Sequence, residues 1–196
     1  VADRVHSKSE ASSQIAVQPL ERPVPRVRRA ALQTSFRIQI TSPISISWST
    51  TIFPLVQYGL VPVFVDISTE DFNLSLDNVE NCVKDHAIKA IMIIHTYGNP
   101  VDLDFLVNFC NSKNLLLIED TCESMGAKWN DKPIGSFGII GTFSSYFSHH
   151  ICTLEGGLTI TDDIELNNLM KSIRSHGWTR GIDFDTSNIK NIDTLD

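Results

Sequence analysis

From Trp48 onward, short runs of β-branched and apolar residues alternate with stretches in which apolar residues recur every three or four positions. The short runs are typical of buried strands, and the longer stretches of amphipathic helices. Strands are predicted at 61–67, 90–95 and 115–118, and near 139–146 and 157–161. Helices are predicted at 76–85, after Asp102 and at 163–175. This alternation predicts an α/β domain with a mostly parallel sheet and helices on both faces.

Polar residues mark where the predicted helices begin. Ser75 and Asp102 are expected to cap the first two, because a side-chain oxygen at that position accepts a hydrogen bond from a free backbone N–H of the first turn. In the last helix, Asp162 and Glu165 are expected to form a capping box. Its buried stripe is predicted to consist of Leu166, Leu169, Met170 and Ile173.

The first 42 residues have a different amino-acid composition. They are rich in Ser, Pro, Arg and Gln, and Pro19, Pro23 and Pro25 interrupt any helix. We therefore expect a loosely structured segment over 1–42, a domain over 43–180, and the start of a further, truncated region over 181–196.

Composition and charge exclude some classes of function. The net charge is -7, although residues 1–40 carry seven Lys or Arg against three Asp or Glu, a balance of +4 that leaves -11 for the rest. This strongly acidic part of the chain argues against binding to nucleic acid, because phosphate contacts need clustered positive charge. No apolar run approaches the ~18 residues of a membrane span, and no signal-peptide pattern occurs. We expect a cytoplasmic protein with no membrane partner.

The four cysteines, at positions 82, 110, 122 and 152, form no C-x-x-C pair, and histidines do not cluster at metal-ligand spacings. The cysteines are therefore predicted to be reduced and mostly buried thiols, and no metal site is predicted.

With 196 residues and 42% hydrophobic content, the chain is long enough for one domain with its own core.

Asp120 is the first candidate for a residue of a functional site. In an open parallel sheet, ligands bind beyond the carboxyl ends of the strands, and Asp120 directly follows the apolar run at 115–118. The residues alone leave an alternative open, in which Glu119 and Asp120 only cap the start of a helix.

Several short motifs point to a family. They are Trp-Ser-Thr-Thr (48–51), Tyr-Gly-Leu-Val-Pro-Val-Phe-Val-Asp (58–66), His-Thr-Tyr-Gly-Asn-Pro (95–100), Ile-Glu-Asp-Thr-Cys-Glu-Ser-Met-Gly-Ala (118–127), Ser-His-His (148–150) with Glu-Gly-Gly (155–157), and Arg-Ser-His-Gly-Trp (174–178). In this order, over about residues 46–180, they resemble the DegT/DnrJ/EryC1/StrS family. The resemblance implies the large domain of a pyridoxal-phosphate-dependent transferase of fold type I, like aspartate aminotransferase. It also implies a homodimer that acts on a nucleotide-linked keto sugar, and a chain that is a fragment of the family's usual length.

The resemblance further implies roles for four cofactor-binding residues. Asp120 would pair with the pyridine nitrogen of pyridoxal 5'-phosphate or pyridoxamine 5'-phosphate and keep it protonated. Trp48 would stack on the ring, Ser144 would hydrogen-bond the phosphate, and Glu123 would lie near the ring hydroxyl. Taken singly, a tryptophan such as Trp48 is more often a core residue, and without the motif Ser144 would be interpreted as an ordinary strand serine.

His149 stands where the family has its catalytic lysine. An imidazole cannot form the lysine's Schiff base, and no lysine occurs between Lys132 and Lys171. The residues are most similar to a histidine-bearing subset of the family, the sugar 3-dehydratases. That similarity implies non-covalent pyridoxamine phosphate, glutamate as amino donor, and His149 as the base in removal of the C3 hydroxyl from a nucleotide-linked 4-keto-6-deoxyhexose. His150 is predicted to orient or pack against its neighbour.

Two other functions remain open at this point. One is an ordinary nucleotide-sugar aminotransferase that recruits a lysine from elsewhere. The other is a remnant that keeps the fold without the chemistry, since residues 1–42 contain no convincing match to the family's phosphate-binding loop. An iron–sulfur cluster is not expected, because no cysteine follows Cys152.

Overall fold

A computed structural model describes residues 39–43 and 47–182. Its strands are β1 (Gln39–Pro43), β2 (Val61–Val65), β3 (Ile88–Ile94), β4 (Leu116–Asp120), β5 (Lys128–Trp129), β6 (Lys132–Pro133), β7 (Ile140–Ser144) and β8 (Gly157–Ile160). Its helices are α1 (Ser49–Gln57), α2 (Leu76–Asp85), α3 (Leu103–Lys113) and α4 (Ile164–Arg174). All of the predicted strands and helices are therefore present, with α2 at its predicted bounds.

Six of the strands form one sheet in the order β2-β1-β3-β4-β7-β8, and β5 and β6 form a separate antiparallel pair. The pairs from β2 through β7 are parallel, whereas β8 runs antiparallel to β7, with Gly157 opposite Ser144. The prediction of a mostly parallel sheet is confirmed. Parallel strands direct their carboxyl ends to one edge, so β3, β4 and β7 deliver the residues that follow them to the same place.

Helices cover both faces of the sheet, as predicted. On β3, Ile91 and Ile93 belong to the larger core cluster, with Leu103 and Leu106 of α3. Ala90 and Met92 belong to a second cluster, with Leu55 of α1. This division follows from the alternation of side chains along a strand. Each fully buried aliphatic side chain contributes roughly 1.5–3 kcal/mol relative to exposure, and the two clusters fix β3 and β4 from both sides.

The starts of α2 and α3 are capped as predicted. Ser75 Oγ accepts a hydrogen bond from the backbone N–H of Asn78 at 3.5 Å, and Asp102 Oδ1 accepts one from Phe105 N–H at 2.9 Å. The prediction for α4 is wrong by one residue. Asp163, not Asp162, caps this helix, with Oδ1 2.9 Å from Leu166 N. Glu165 therefore stands only two residues after the cap, which is too close for a capping box.

The predicted buried stripe of α4 is also only partly present. Leu166 and Met170 are half-buried, whereas 46% of Leu169 and 63% of Ile173 are exposed. Helix α4 follows β8, the edge strand of the sheet. An apolar periodicity shows which face of a helix can be buried, but it does not by itself supply a core for that face to pack against.

Strands β1, β5 and β6 and helix α1 were not predicted. Strand β1 begins at Gln39, inside the segment that was expected to be loosely structured, and pairs with both β2 and β3. Residues 1–38 and 183–196 lie outside the described residues, as do the predictions made for them.

Helix α1 contains Pro54, which lacks the N–H of a regular helical hydrogen bond. Proline together with the β-branched residues of this stretch obscures a helical pattern.

The cysteines differ in burial more than predicted. All four are reduced thiols; Cys110 is buried, Cys82 and Cys122 are half-buried, and Cys152 is exposed. Among residues 39–43 and 47–182, no helix has both the length and the apolar character needed to cross a bilayer.

Candidate active site

Asp120 and Ser144 lie at the same edge of the sheet. Asp120 ends β4, level with Ile94 of β3 and Thr142 of β7, and Ser144 ends β7 two residues beyond Thr142. Residues 121–127 form turns, so the alternative in which Glu119 and Asp120 cap a helix is wrong. The structure thus brings these two predicted cofactor-binding residues to the carboxyl edge.

The Asp120 side chain is buried and held at both oxygens. It is 7% exposed. Its Oδ2 accepts a hydrogen bond from the Thr51 hydroxyl at 2.8 Å, and its Oδ1 accepts one from the backbone N–H of Cys122 at 3.1 Å. Burial raises the pKa of the Cys122 thiol to about 12, and its hydrogen bond to Asp120 and the carboxylate charge add to the rise. Cys122 is therefore a neutral thiol beside a fixed carboxylate.

His149 follows β7 in a turn and is half-buried. Its backbone N–H donates to Tyr146 O at 3.0 Å, and its ring Nδ1 lies 2.8 Å from the backbone carbonyl oxygen of Cys122. A carbonyl oxygen can only accept, so this contact requires the proton on Nδ1. In the neutral ring, Nε2 then carries a lone pair, which is the form a general base needs.

Cys122 connects the two sides of the site through its backbone. Its N–H binds Asp120 and its carbonyl binds His149, so one residue orients both side chains. This role was not predicted. The turn that Asp120 forms with Cys122 N–H is typical of aspartate, but the contact with a histidine 27 residues away leaves no local signal.

Trp48 is the residue directly before α1 and is linked to Asp120 through Thr51. Its carbonyl oxygen accepts a hydrogen bond from Thr51 N–H at 3.0 Å, and Thr51 binds Asp120 through its side chain. The indole is 74% exposed, so the alternative of a core tryptophan is wrong. An exposed flat ring suits stacking on a planar heterocycle.

Ser144 and Glu123 supply further polar groups. Ser144 Oγ accepts a hydrogen bond from Tyr146 N–H at 3.2 Å, which leaves its hydroxyl proton available to a ligand. Glu123 is exposed, and its Oε2 accepts a hydrogen bond from Tyr97 N–H at 3.2 Å. Tyr97 adopts a left-handed backbone conformation with φ of 52° and exposes 75% of its surface. His150 is exposed and makes no hydrogen bond to the described residues, which does not support a packing role.

Glu119 and His95 form a buried pair behind the site. His95 Nε2 lies 3.2 Å from Glu119 Oε2, and both side chains are fully buried. His95 Nδ1 accepts a hydrogen bond from Val101 N–H at 3.2 Å, so the proton is on Nε2 and is donated to Glu119. Glu119 also accepts three backbone N–H groups, from Gly135 at 2.7 Å, Phe137 at 2.7 Å and Gly138 at 2.6 Å. Sequence reasoning missed this pair, which joins segments far apart in the chain.

Comparisons with known proteins agree with this architecture. The chain is 49% identical to GDP-4-keto-6-deoxy-D-mannose 3-dehydratase of Yersinia pseudotuberculosis and 46% identical to the Escherichia coli protein of the same name. In both cases the match covers 138 residues, 70% of this chain and 35% of the relative, so the chain spans about a third of the length of these relatives.

A crystal structure of GDP-4-keto-6-deoxymannose-3-dehydratase with a trapped PLP-glutamate geminal diamine superimposes with a TM-score of 0.71 at 44% identity. The superposition covers 75% of this chain and 38% of that one. The predicted fold of a pyridoxal-phosphate-dependent enzyme of fold type I is thereby confirmed. The model of the DegT/DnrJ/EryC1/StrS aminotransferase family matches residues 39–190, and the chain belongs to that family.

Proposed function

We propose that this chain forms the cofactor-binding and catalytic part of a dehydratase that removes the C3 hydroxyl from a nucleotide-linked 4-keto-6-deoxyhexose with pyridoxamine phosphate. One observation carries the proposal. Where the family has a lysine, His149 has its Nδ1 proton bound to the Cys122 carbonyl oxygen, which leaves Nε2 as a base and no amine to form a covalent link. The names of the two bacterial relatives support the same reaction.

The residues at the carboxyl edge fit such a cofactor. Asp120 offers a fixed carboxylate for a protonated pyridine nitrogen, and Trp48 offers an exposed ring for stacking. Ser144 has a hydroxyl proton for a phosphate oxygen, and Glu123 is exposed beside Tyr97. When bound, pyridoxamine phosphate supplies an amine that condenses with a keto group and a pyridine ring that withdraws electrons.

The protein's own part in the reaction is to hold charges and move a proton. His149 would accept a proton at Nε2, and the hydrogen bond from Nδ1 to the Cys122 carbonyl would stabilise the resulting imidazolium ion. Asp120 would keep its charge in one place, because Thr51 and the N–H of Cys122 hold both of its oxygens. Both side chains would thus be held in place before a ligand binds.

The proposal includes partners. Glutamate is the proposed amino donor, in line with the glutamate adduct named in the structure of a relative. A homodimer is proposed because the segment after β7 exposes several large apolar side chains next to the site: Phe147, Ile151 and Leu154. The cytoplasmic location stays a prediction.

Replacement of His149 tests the reaction. The purified chain, given pyridoxamine phosphate, glutamate and GDP-4-keto-6-deoxymannose, should release ammonia and a deoxygenated sugar. H149N should lower the rate by about 100-fold or more, as expected for loss of a general base, and should still bind the cofactor. H150N is the matched control and should change the rate little, because His150 is exposed and makes no hydrogen bond to the described residues. An aminated sugar as product, or equal losses in the two variants, would contradict the proposal.

Two further measurements separate the other functions. Borohydride reduction should trap no adduct between pyridoxal phosphate and a lysine, whereas an aminotransferase would give one. A remnant without chemistry should show no saturable binding of pyridoxamine phosphate. The proposed enzyme should bind it, and D120A should abolish that binding because it removes the partner of the pyridine nitrogen.

A further inference from the structure

Thr51 occupies an unusual position between two elements of the candidate active site. Its side chain is 8% exposed, and its hydroxyl donates to Asp120 Oδ2 at 2.8 Å across 69 residues of sequence. Its backbone N–H donates to the carbonyl oxygen of Trp48 at 3.0 Å. One residue of α1 thus contacts both the buried carboxylate and the residue that carries the exposed indole.

A threonine hydroxyl near the start of a helix usually forms a hydrogen bond with a nearby backbone group. The Thr51 hydroxyl instead donates its proton to a side chain that is distant in sequence, which indicates a specific role. Asp120 already has Oδ1 fixed by the backbone N–H of Cys122. The Thr51 hydroxyl fixes Oδ2, and with both oxygens held the carboxylate cannot rotate about its Cβ–Cγ bond. The Cys122 thiol also binds this carboxylate. Of the four lone pairs on the two oxygens, one is then left for another donor, and these contacts set its direction.

We propose that Thr51 is a positioning residue for the cofactor, which sets the Asp120 carboxylate and the Trp48 ring relative to each other. The inference rests on the proposed function and goes beyond it, because it assigns the orientation of the carboxylate to a hydroxyl of α1, 69 residues earlier in the chain. The ligand would be a planar pyridinium ring, which Asp120 would hold at its edge and Trp48 on its face. β-Branching restricts the χ1 angle of Thr51, which limits the directions in which its hydroxyl can donate.

T51V tests this role, since valine keeps the shape of threonine and the backbone contact with Trp48 but removes the hydroxyl. Equilibrium dialysis against pyridoxamine phosphate should show binding weakened by about tenfold or more, as expected for loss of a hydrogen bond to a charged group. T51S keeps the hydroxyl and should restore the affinity to within about threefold of the unaltered chain. T50V is the matched control in the same helix, where Thr50 is exposed, and should leave the affinity unchanged.

A double-mutant cycle separates positioning from general destabilisation. If Thr51 acts through the charge of Asp120, T51V should weaken binding much less in a D120N background than in the unaltered chain. Unchanged affinity in T51V, or the same loss in both backgrounds, would overturn the inference while the proposed function stood. No saturable binding by the unaltered chain would overturn both. The absorption spectrum of bound pyridoxal phosphate gives an independent readout: T51V should shift it and T50V should not.

Discussion

At the scale of single residues, Cys122 is central because its backbone holds both Asp120 and His149 while its thiol stays protonated. Burial, with the hydrogen bond to Asp120 and the carboxylate charge, raises its pKa to about 12. The thiolate is the reactive form of cysteine. A thiol with this pKa is therefore a structural group at neutral pH, although it lies in the candidate active site.

This assignment predicts how the cysteines react with iodoacetamide. At pH 8, exposed Cys152 should be labelled first, and Cys122 should be labelled at least ~100-fold more slowly because only a very small fraction is thiolate. The labelling rate of Cys122 should then rise about tenfold for each pH unit toward pH 11, because the thiolate fraction rises in that proportion below the pKa. Mass spectrometry of digested samples assigns each site. Equal labelling of the two cysteines in the folded chain at pH 8 would contradict the raised pKa.

Sequence motifs predicted which residues lie at the carboxyl edge more readily than they predicted contacts. Asp120, Ser144 and His149 were singled out because a strand end or a family motif marks them, and their roles in binding and catalysis stay predictions. Thr51, the carbonyl of Cys122 and the Glu119–His95 pair were missed, since each acts through a contact with a residue distant in sequence. A side chain's partner across the sheet leaves no trace in local spacing, and only the fold reveals it.

At the scale of elements, apolar periodicity predicted most helices and strands but misplaced some of their ends. Helix α2 has its predicted bounds, because Ser75 marks its start and one apolar face runs its length. Strand β4 extends beyond 115–118 to include Glu119 and Asp120, both buried. In the sequence, two charged residues predict that the strand has ended. In the fold, both are buried and their polar groups form hydrogen bonds. Apolar periodicity therefore cannot predict the end of a strand that continues into buried, hydrogen-bonded polar residues.

The start of α4 provides a test in which the sequence and the structure disagree. D163A should lower the free energy of unfolding by about 1 kcal/mol, because it removes the oxygen that caps Leu166 N–H. D162A should change it by less than about 0.5 kcal/mol, since Asp162 is exposed and lies outside the helix. Urea unfolding followed by circular dichroism compares the two variants. A larger effect of D162A would restore the capping box as the correct description.

At the scale of the whole molecule, Glu119 links two segments that are far apart in the sequence. Its carboxylate joins the end of β3, through His95, to the loop at 135–138 that precedes β7. Gly138 permits the close approach of this loop, because a Cβ there would overlap the carbonyl oxygen of Leu117. The carboxyl edge that carries Asp120 is thus supported from behind by a buried charge with four donors. A buried carboxylate is tolerated only when such partners compensate its lost hydration.

Removal of this carboxylate should therefore be costly. E119A would leave the N–H groups of Gly135, Phe137 and Gly138 and the ring N–H of His95 without an acceptor, and we expect a loss of about 3–5 kcal/mol in the free energy of unfolding. E119Q should lose less, because its amide oxygen still accepts some of these bonds. E70A, at an exposed glutamate, is the control and should stay within about 0.5 kcal/mol. Urea unfolding measures the three values, and hydrogen exchange locates the effect. If Glu119 holds the loop, the amides of Phe137 and Gly138 should exchange faster in E119A than in E70A, whereas unchanged protection would show that the loop is held without it.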